Sequence, residues 1–304
     1  MKTPTAILLA DTHIRETQPL CRTDDYFKAQ REKWSFISDI QQKYYIPILI
    51  AGDLFDKWKP SPELLTWCIY NLPKHIRVIP GQHDLPNHNL ELLHKSGMQT
   101  LESAGVIQII RNSPFEIHSN GFNLNIHAYP FGSEPTPLNS TFKGSNSTRN
   151  IALMHYFTYK GTAWPGCKTL EAKSLLKRMA GFDLILCGDN HQSFIVEDND
   201  RLLVNPGSLM RMKSDQIEHK PRLFLYYAED NTVEAIDIPI EENVISRVHI
   251  DKSKDKDEKM EAFVDSVKNQ GEIGLNFKEN LETYFNTNEE NDSVKNIVWG
   301  SMER

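Results

Sequence analysis

Five short segments set carboxylates and imidazoles at the ends of apolar runs. They are Asp11-Thr-His13, Gly52-Asp53-Leu-Phe-Asp56, Gly81-Gln82-His83-Asp84, a single His155, and Gly188-Asp189-Asn-His191. Mixed oxygen and imidazole donors suit Mn, Fe, Zn or Co better than Ca. Asp11 and His13, two residues apart, share one side of an extended chain. Asp53 follows a glycine whose bare backbone permits close approach, and a carboxylate can bridge two cations, so Asp53 is the natural shared ligand. Gln82 adds a neutral oxygen; His155 and His191 add neutral nitrogens. Two such cations, roughly 3.5–4 Å apart, can hold a hydroxide between them and clamp a phosphoryl oxygen. His83 lies next to a ligand and would face the same site, donating a proton to a leaving oxygen or stabilising the transition state. Asp84 could hold its imidazole in the useful tautomer. Each segment alone has an ordinary explanation as a turn, a helix cap or a core histidine. Their joint occurrence, in order and each after an apolar run, points to a two-metal centre.

In open α/β sheets such groups gather beyond the carboxyl ends of strands, so the surrounding elements must bring five distant loops to one rim. Residues 5–10, 46–51 and 76–80 read as strands. Between and after them, residues 24–43, 60–72 and 90–101 read as helices, the first with Phe27, Trp34, Ile37 and Ile40 near helical spacing. This order predicts right-handed crossovers and a mostly parallel sheet. Shorter strands follow within 106–128, then a Gly/Pro/Ser/Thr-rich loop at 131–149. A strand at 151–154, a helix at 170–180 and strands at 183–187, 194–197 and 202–204 come next. Residues 223–227 and 233–238 alternate like a hairpin about Glu229-Asp-Asn. Composition changes after Pro239. A mixed-charge run at 251–261 reads as a solvated linker, with helices expected near 260–267, 277–285 and 294–302. The expected organisation is a main domain over 1–240 and a small C-terminal capping or partner-binding region over 241–304.

The bulk numbers bound the class. The chain has 304 residues, 39% hydrophobic and 25% charged, as soluble globular proteins do. No apolar run approaches the ~20 residues of a membrane span, and the run Ala6 to Ala10 is too brief for a leader. A cytoplasmic location is expected, that of the host if the source is viral. Cys21, Cys68, Cys167 and Cys187 form no CxxC pair and read as reduced thiols, which makes the sequons at Asn139, Asn146 and Asn291 irrelevant. A net charge of -7 argues against long-range attraction to nucleic acid. It leaves a nuclease open, because part of that charge sits where cations would offset it. His75, His88, His94, His118, His127, His219 and His249 lack the motif context and read as structural, although His127 also ends a strand.

In this order the motifs resemble the calcineurin-like metallophosphoesterases. That family's pattern runs Asp-x-His, Gly-Asp-x-x-Asp, Gly-Asn-His-Asp/Glu, a lone His, then Gly-His-x-His. The resemblance covers roughly residues 5–240. It implies an α/β (α+β) fold, a two-sheet β-sandwich flanked by helices with metals at its rim. It implies one metal on Asp11, His13, Asp53 and His191 and a second on Asp53, Gln82, His155 and Asp189. His83 matches the catalytic histidine, with Asp56 and Asp84 bracing the ligands. Two positions depart from the pattern: Gln82 replaces Asn, and Asp189 replaces the first His of the last motif. Two divalent ions, three carboxylates and a hydroxide make a neutral centre, where a histidine at 189 would leave it positive. Mn²⁺ is therefore expected, with Mg²⁺ possible, in preference to Zn²⁺.

Beyond the last ligand, Asn205-Pro-Gly-Ser-Leu-Met-Arg211 resembles the Pro-Gly-Ser-x-x-Arg stretch of SbcD-type DNA repair nucleases. That resemblance implies a DNA exo/endonuclease of repair and recombination, a homodimer, and an SbcC-like coiled-coil ATPase partner. It also implies a C-terminal cap contacting DNA and that partner, here in the short form seen among phage recombination nucleases. Arg149, Lys160, Arg211 and Lys213, with Lys168, Lys173, Lys177 and Arg178, could track a phosphate backbone. Tyr156, Phe157, Tyr159 and Trp164 could stack on unpaired bases. Phe277, Leu281, Tyr284, Phe285, Ile297, Val298 and Trp299 could form a docking surface in the tail. Two alternatives stand beside the nuclease: a phosphodiesterase or phosphatase acting on small nucleotides or phosphoproteins, and a non-catalytic scaffold that binds an ATPase.

Overall fold

The first apolar run forms strand β1 (Ala6–Leu9), buried at every residue, as a strand covered on both faces must be. Its side chains alternate between two cores. Ile7 and Leu9 pack with Trp34, Ile37 and Leu64 on one side, while Ala6, Leu8 and Ala10 pack with Ile126, Ile151 and Leu153 on the other. The computed structural model describes residues 2–111, 113–138, 147–162, 169–248, 277–288 and 291–302.

Among the described residues the strands form two six-stranded sheets. In the first, β1 is followed by β2 (Ile48–Ile50), β3 (Ile76–Val78) and β4 (Ile107–Ile109), all parallel. The crossovers are α1 (Tyr26–Tyr44) and α2 (Pro62–Asn71). The Asp25 side chain caps α1 by accepting from the Lys28 amide at 2.9 Å. Ser61 does the same for α2, accepting from Leu64 at 3.1 Å. The closing hairpin, β11 (Arg222–Tyr227) and β12 (Thr232–Asp237), lies antiparallel on the far side of β1. The second sheet contains β5 (Phe115–Ser119), β6 (Phe122–Tyr129), β7 (Thr148–His155), β8 (Leu184–Gly188), β9 (Phe194–Asp198) and β10 (Arg201–Asn205). Its order is β5-β6-β7-β8-β10-β9, parallel from β6 to β10 with antiparallel edges. Its outer face is covered by α4 (Ala172–Arg178), through Leu175 and Leu176, which cluster with Met154 and Ile185.

This is the expected helix-flanked sandwich, with one local correction. The helix expected over 90–101 is a 3-10 stretch, Leu90–Lys95, followed by a separate helix α3, Gly97–Ser103. Ser96 causes the break: its side chain accepts from the Gln99 amide at 3.2 Å and starts the new helix. A Cβ at Gly97 would stand 2.3 Å from the Pro60 ring, so the restart needs glycine there.

The chain forms two compact units, Met1–Ser246 and Arg247–Arg304. The first reaches past residue 240 because its last segment is tied down, by Thr23 N–H to Val244 O (3.0 Å) and Ser246 N–H to Cys21 O (2.7 Å). In the second, α5 (Phe277–Thr287) and α6 (Asp292–Met302) meet through the Phe285 and Trp299 rings, 6.1 Å apart and edge-on. Phe285 is buried while Tyr284 is 55% exposed. The charge run at 251–261, the helix expected near 260–267, Asn139, Asn146, Trp164, Cys167, Lys168 and His249 lie outside the described residues. Cys21, Cys68 and Cys187 are buried free thiols. Among the described residues no helix is long and apolar enough to cross a membrane.

Candidate metal centre

His155 ends β7 itself, and the other candidate ligands stand in the loops that follow strands, where the backbone turns sharply. Asp11 (φ 46°), His13 (φ 42°), Asp53 (φ 49°) and Asp189 (φ 78°) all adopt left-handed conformations. Such conformations cost roughly 1–2 kcal/mol for a residue with a Cβ, and clusters of them mark functional sites. Hydrogen bonds hold the first two loops side by side: Asp11 N–H to Gly52 O (3.2 Å), His13 N–H to Asp53 O (3.0 Å) and Ile14 N–H to Leu54 O (2.8 Å). The motif glycines leave room for this convergence. A Cβ at Gly81 would lie 2.1 Å from Asp53 Oδ1, and one at Gly188 the same distance from Ala51 O.

The rim gathers the five segments. Asp11, His13 and His191 each offer one ligand atom, all within 4.8 Å of one another, and so do Asp11, Asp53 and His155. His13, Asp53 and His83 form a third such group. Asp53 Oδ2 lies 3.7 Å from His13 Nε2 and 3.5 Å from His155 Nε2. That oxygen is buried without a hydrogen bond, and so is His13 Nδ1. Buried polar atoms are rarely left unpaired. The His155 ring donates from Nδ1 to Ala51 O at 2.7 Å, which turns Nε2 to the cluster. Gln82 Oε1 stands 2.6 Å from that Nε2, and Gln82 Nε2 donates to Asp189 Oδ1 at 2.8 Å. Two lone pairs so close require a proton or a cation between them. His13 Nε2 and His191 Nε2 meet at 3.2 Å. Asp11 accepts from the Asp189 amide through both oxygens, at 3.0 and 3.1 Å. These donor types fit divalent cations.

The electrostatics agree. Burial drives His13 down to about 3. Burial, then the Lys213 ammonium, drives His191 down to about 4. Both are held as neutral imidazoles, the ligand form. Burial raises the Asp11 carboxyl well above its usual range. For Asp53 burial acts upward as the largest single cause, but His155, His13 and His83 together outweigh it and bring the carboxyl to about 2. Burial, the largest single cause, would lower His155, yet Asp53, Asp11 and Asp189 together outweigh it and raise the imidazole to about 10. In the metal-free chain a proton on His155 therefore stands where a cation would neutralise the same carboxylates.

His83 is placed as expected, but not by Asp84. Its Nδ1 donates to Asp56 O at 2.9 Å, leaving Nε2 available, and its amide donates to Asp53 Oδ1 at 2.9 Å. Its ring sits edge-on to His13 at 4.9 Å. The Asp84 carboxylate instead accepts from the amides of Leu54 (3.1 Å), Phe55 (2.9 Å) and Gly81 (3.0 Å). A 3-10 turn, Gln82–Asp84, sends these neighbours apart, His83 outward and Asp84 into the core. Asp84 thus ties the Asp53 loop to the Gln82 turn, and burial, with Asp53 adding, raises its carboxyl to about 7. Asp56 serves His83 through its carbonyl, while its carboxylate pairs with Arg15 at 3.2 Å. Arg15 carried no motif signal.

The cations named for a phosphate backbone divide. Arg149 begins β7, six residues before His155 and so about 20 Å from it along the strand. It donates to Ala228 O (2.8 Å) and Glu229 O (3.1 Å). Arg211 is buried and donates to Ile217 O at 3.3 Å and to Glu241 O. Both are engaged by backbone carbonyls, partners that the sequence expectation did not include. Lys173, Lys177 and Arg178 lie on α4. Lys160 donates to Ile195 O at 3.1 Å. Lys213 is exposed at the rim of a cavity of about 680 Å³ that also meets Gln82, His83, Asp189, His191 and Phe157. His219 lines the same cavity, while His127 packs edge-on against Phe182 at 5.2 Å.

A family model, the calcineurin-like phosphoesterase superfamily domain, matches residues 5–224. Among solved structures, the chain is similar to a novel archaeal phosphodiesterase at 13% identity, over 76% of this chain and 98% of that one, with a TM-score of 0.40. It is also similar to the Thermus thermophilus sulfate thiohydrolase SoxB in complex with glycerol. There the identity is 10%, over 79% of this chain and 57% of that one, with a TM-score of 0.46. No curated protein matches the chain.

Proposed function

The chain belongs to the calcineurin-like phosphoesterase superfamily, and we propose on that premise that it is a two-metal phosphodiesterase acting on DNA, an SbcD-type repair nuclease. The observation that carries the two-metal reading is the buried Asp53 Oδ2, set without a hydrogen bond between the His13 and His155 rings. Asp11, His13, Asp53 and His191 would hold one cation, and Asp53, Gln82, His155 and Asp189 the other. When bound, two divalent cations supply an activated water and neutralise charge on the phosphoryl oxygens. His83, anchored at Nδ1 by the Asp56 carbonyl, presents Nε2 to the leaving oxygen and delivers its proton there. Asp84 keeps the shared ligand's loop in place. Mn²⁺ is the preferred cation, because Asp189 adds a third carboxylate to the ligand set. After metal stripping, Mn²⁺ should restore more activity than Zn²⁺; equal or better recovery with Zn²⁺ sinks that preference.

DNA as substrate is supported by the sequence resemblance of the stretch Asn205 to Arg211, whose arginine itself is turned to backbone carbonyls, and by Lys213 at the cavity rim. The direct test is DNA cleavage by His83→Ala with metal content measured in parallel. Cleavage should fall by roughly 100-fold or more while metal content stays the same. Normal cleavage by this variant rules out His83 as the acid. A second reading, a phosphodiesterase for small nucleotides, is favoured by Arg149 and Arg211 being bound to backbone carbonyls and by a cavity of small-ligand size. Assays on DNA beside bis-p-nitrophenyl phosphate and cyclic nucleotides separate the two. The C-terminal unit is proposed to cap the site and dock an SbcC-like ATPase, and the protein to work as a homodimer. Copurification with such a partner and sedimentation of the isolated chain test both.

A further inference from the structure

One wall of the cavity is built by residues 213–222, which the reaction above leaves unused. This wall is locked to a metal ligand. Gln216, buried, accepts from the amides of Met212 (2.6 Å) and Lys213 (3.0 Å) and donates to Ser208 Oγ at 3.0 Å. The His219 ring donates to Ser208 O at 2.7 Å, and Ser208 N–H donates to His191 O at 3.1 Å. A Cβ at Gly207 (φ +77°) would stand 2.7 Å from the same His191 carbonyl, so the turn cannot drift outward on a side chain. The Lys213 backbone is thereby fixed relative to His191.

The wall's charges are Lys213, Asp215, Glu218, Lys220 and Arg222. Arg222 is engaged by Asp237. Lys213 is exposed, and among the described residues no carboxylate lies within ion-pair distance of it. With Asp215 and Glu218 beside it, the wall carries no uniform positive field, so any selection must come from a positioned cation. The cavity, about 680 Å³, is far larger than one phosphoryl group and lies in the usual range of ligand clefts.

We propose that Lys213 binds a second phosphate of the substrate, the one flanking the scissile phosphoryl group, so that the enzyme selects chains with at least two phosphates. This rests on the phosphodiesterase reading. Gln216 is a positioning residue, acting through the Lys213 backbone. The test compares kcat/KM of the full Mn²⁺-loaded chain on a thymidine dinucleotide with an added 5′ or 3′ terminal phosphate and on the same dinucleotide with neither. Wild type should favour one phosphorylated form by roughly tenfold, the size of one charge-assisted hydrogen bond. Lys213→Ala should bring that ratio near one, Lys213→Arg should keep most of it, and Gln216→Ala should lower it through KM. An unchanged ratio in Lys213→Ala overturns the proposal. Equal hydrolysis of all three by wild type also overturns it and leaves the phosphodiesterase reading intact. Hydrolysis of none overturns both.

Discussion

The main unit buries charge in two places, and the two are built on opposite plans. At the rim, Asp11, His13, Asp53 and His155 are nearly inaccessible, yet Asp53 Oδ2 and His13 Nδ1 have no hydrogen bond. Behind it lies a cationic cluster. Arg22 donates to Asp24 and to Arg211 O (3.1 Å), Lys33 to Pro239 O (2.8 Å), and Arg211 to Ile217 O and Glu241 O. Burial alone would raise the Asp24 carboxyl, but Arg22 outweighs it and holds it below the usual range. Burial, with Arg211 and Arg22 adding, lowers Lys33 to about 7. The cationic cluster is complete without any ligand; the rim cluster is not. Burial of charge by itself therefore does not mark a functional site. Unsatisfied atoms crowded among ligand-type side chains do.

Four experiments break or sharpen this contrast. The largest effect is expected for Asp53→Asn. Hydrolysis should fall by roughly 10³-fold, beyond the 10–100-fold of a supporting residue, with loss of bound metal. Retained metal and undiminished hydrolysis in this variant would make the rim cluster part of the framework too. Next is Arg211→Met, which strands two carbonyls and should cost about 3 kcal/mol in urea unfolding, with metal content preserved. Unchanged stability with weakened DNA binding would return Arg211 to the substrate and erase the contrast. Asp84→Asn should lower activity by about 10–100-fold while the pH–rate profile keeps its shape, because Asp56 and not Asp84 orients His83. A shifted profile contradicts that assignment.

Lys33→Met gives the smallest effect, and it concerns pH. The folded chain holds the Lys33 proton less tightly than the unfolded chain, about 7 against an ordinary lysine's 10.5. Between those values the unfolded state binds more protons, so wild-type stability should rise with pH, by up to about 1.4 kcal/mol per unit. Urea midpoints measured from pH 7 upward should show that rise, and the variant should show it weakened. An identical slope in both would mean the Lys33 charge is not confined.

Much of this site was legible because its signals are local. Apolar runs ending in ligand-type residues located Asp11, His13, Asp53, His155, Asp189 and His191, and the rim gathers them. The alternation of Leu223 to Tyr227 with Val233 to Ile238 announced the closing hairpin. What was not legible depended on distant partners or on turn geometry. That the hairpin lies beside β1 is a pairing across more than two hundred residues, such as Ala6 with Tyr226. Adjacency suggested that Asp84 serves His83, but a 3-10 turn parts their side chains. Arg149 and Arg211 looked like phosphate contacts because a sequence carries no record of the carbonyls that occupy them. The expected helix over 90–101 missed the capping strength of Ser96.

The left-handed backbone at Asp11, His13, Asp53 and Asp189 also limits how these loops can diverge over evolutionary time. Asn, Asp, His and Gly enter that region most readily. A lineage that gives up metal binding but keeps the fold should therefore drift at these four positions toward Asn and Gly and avoid Val or Ile. In a variant library selected only for folding, the same bias should appear. The loops would then keep their shape after their chemistry had gone, and Asn at such a position would be the mark of a former ligand.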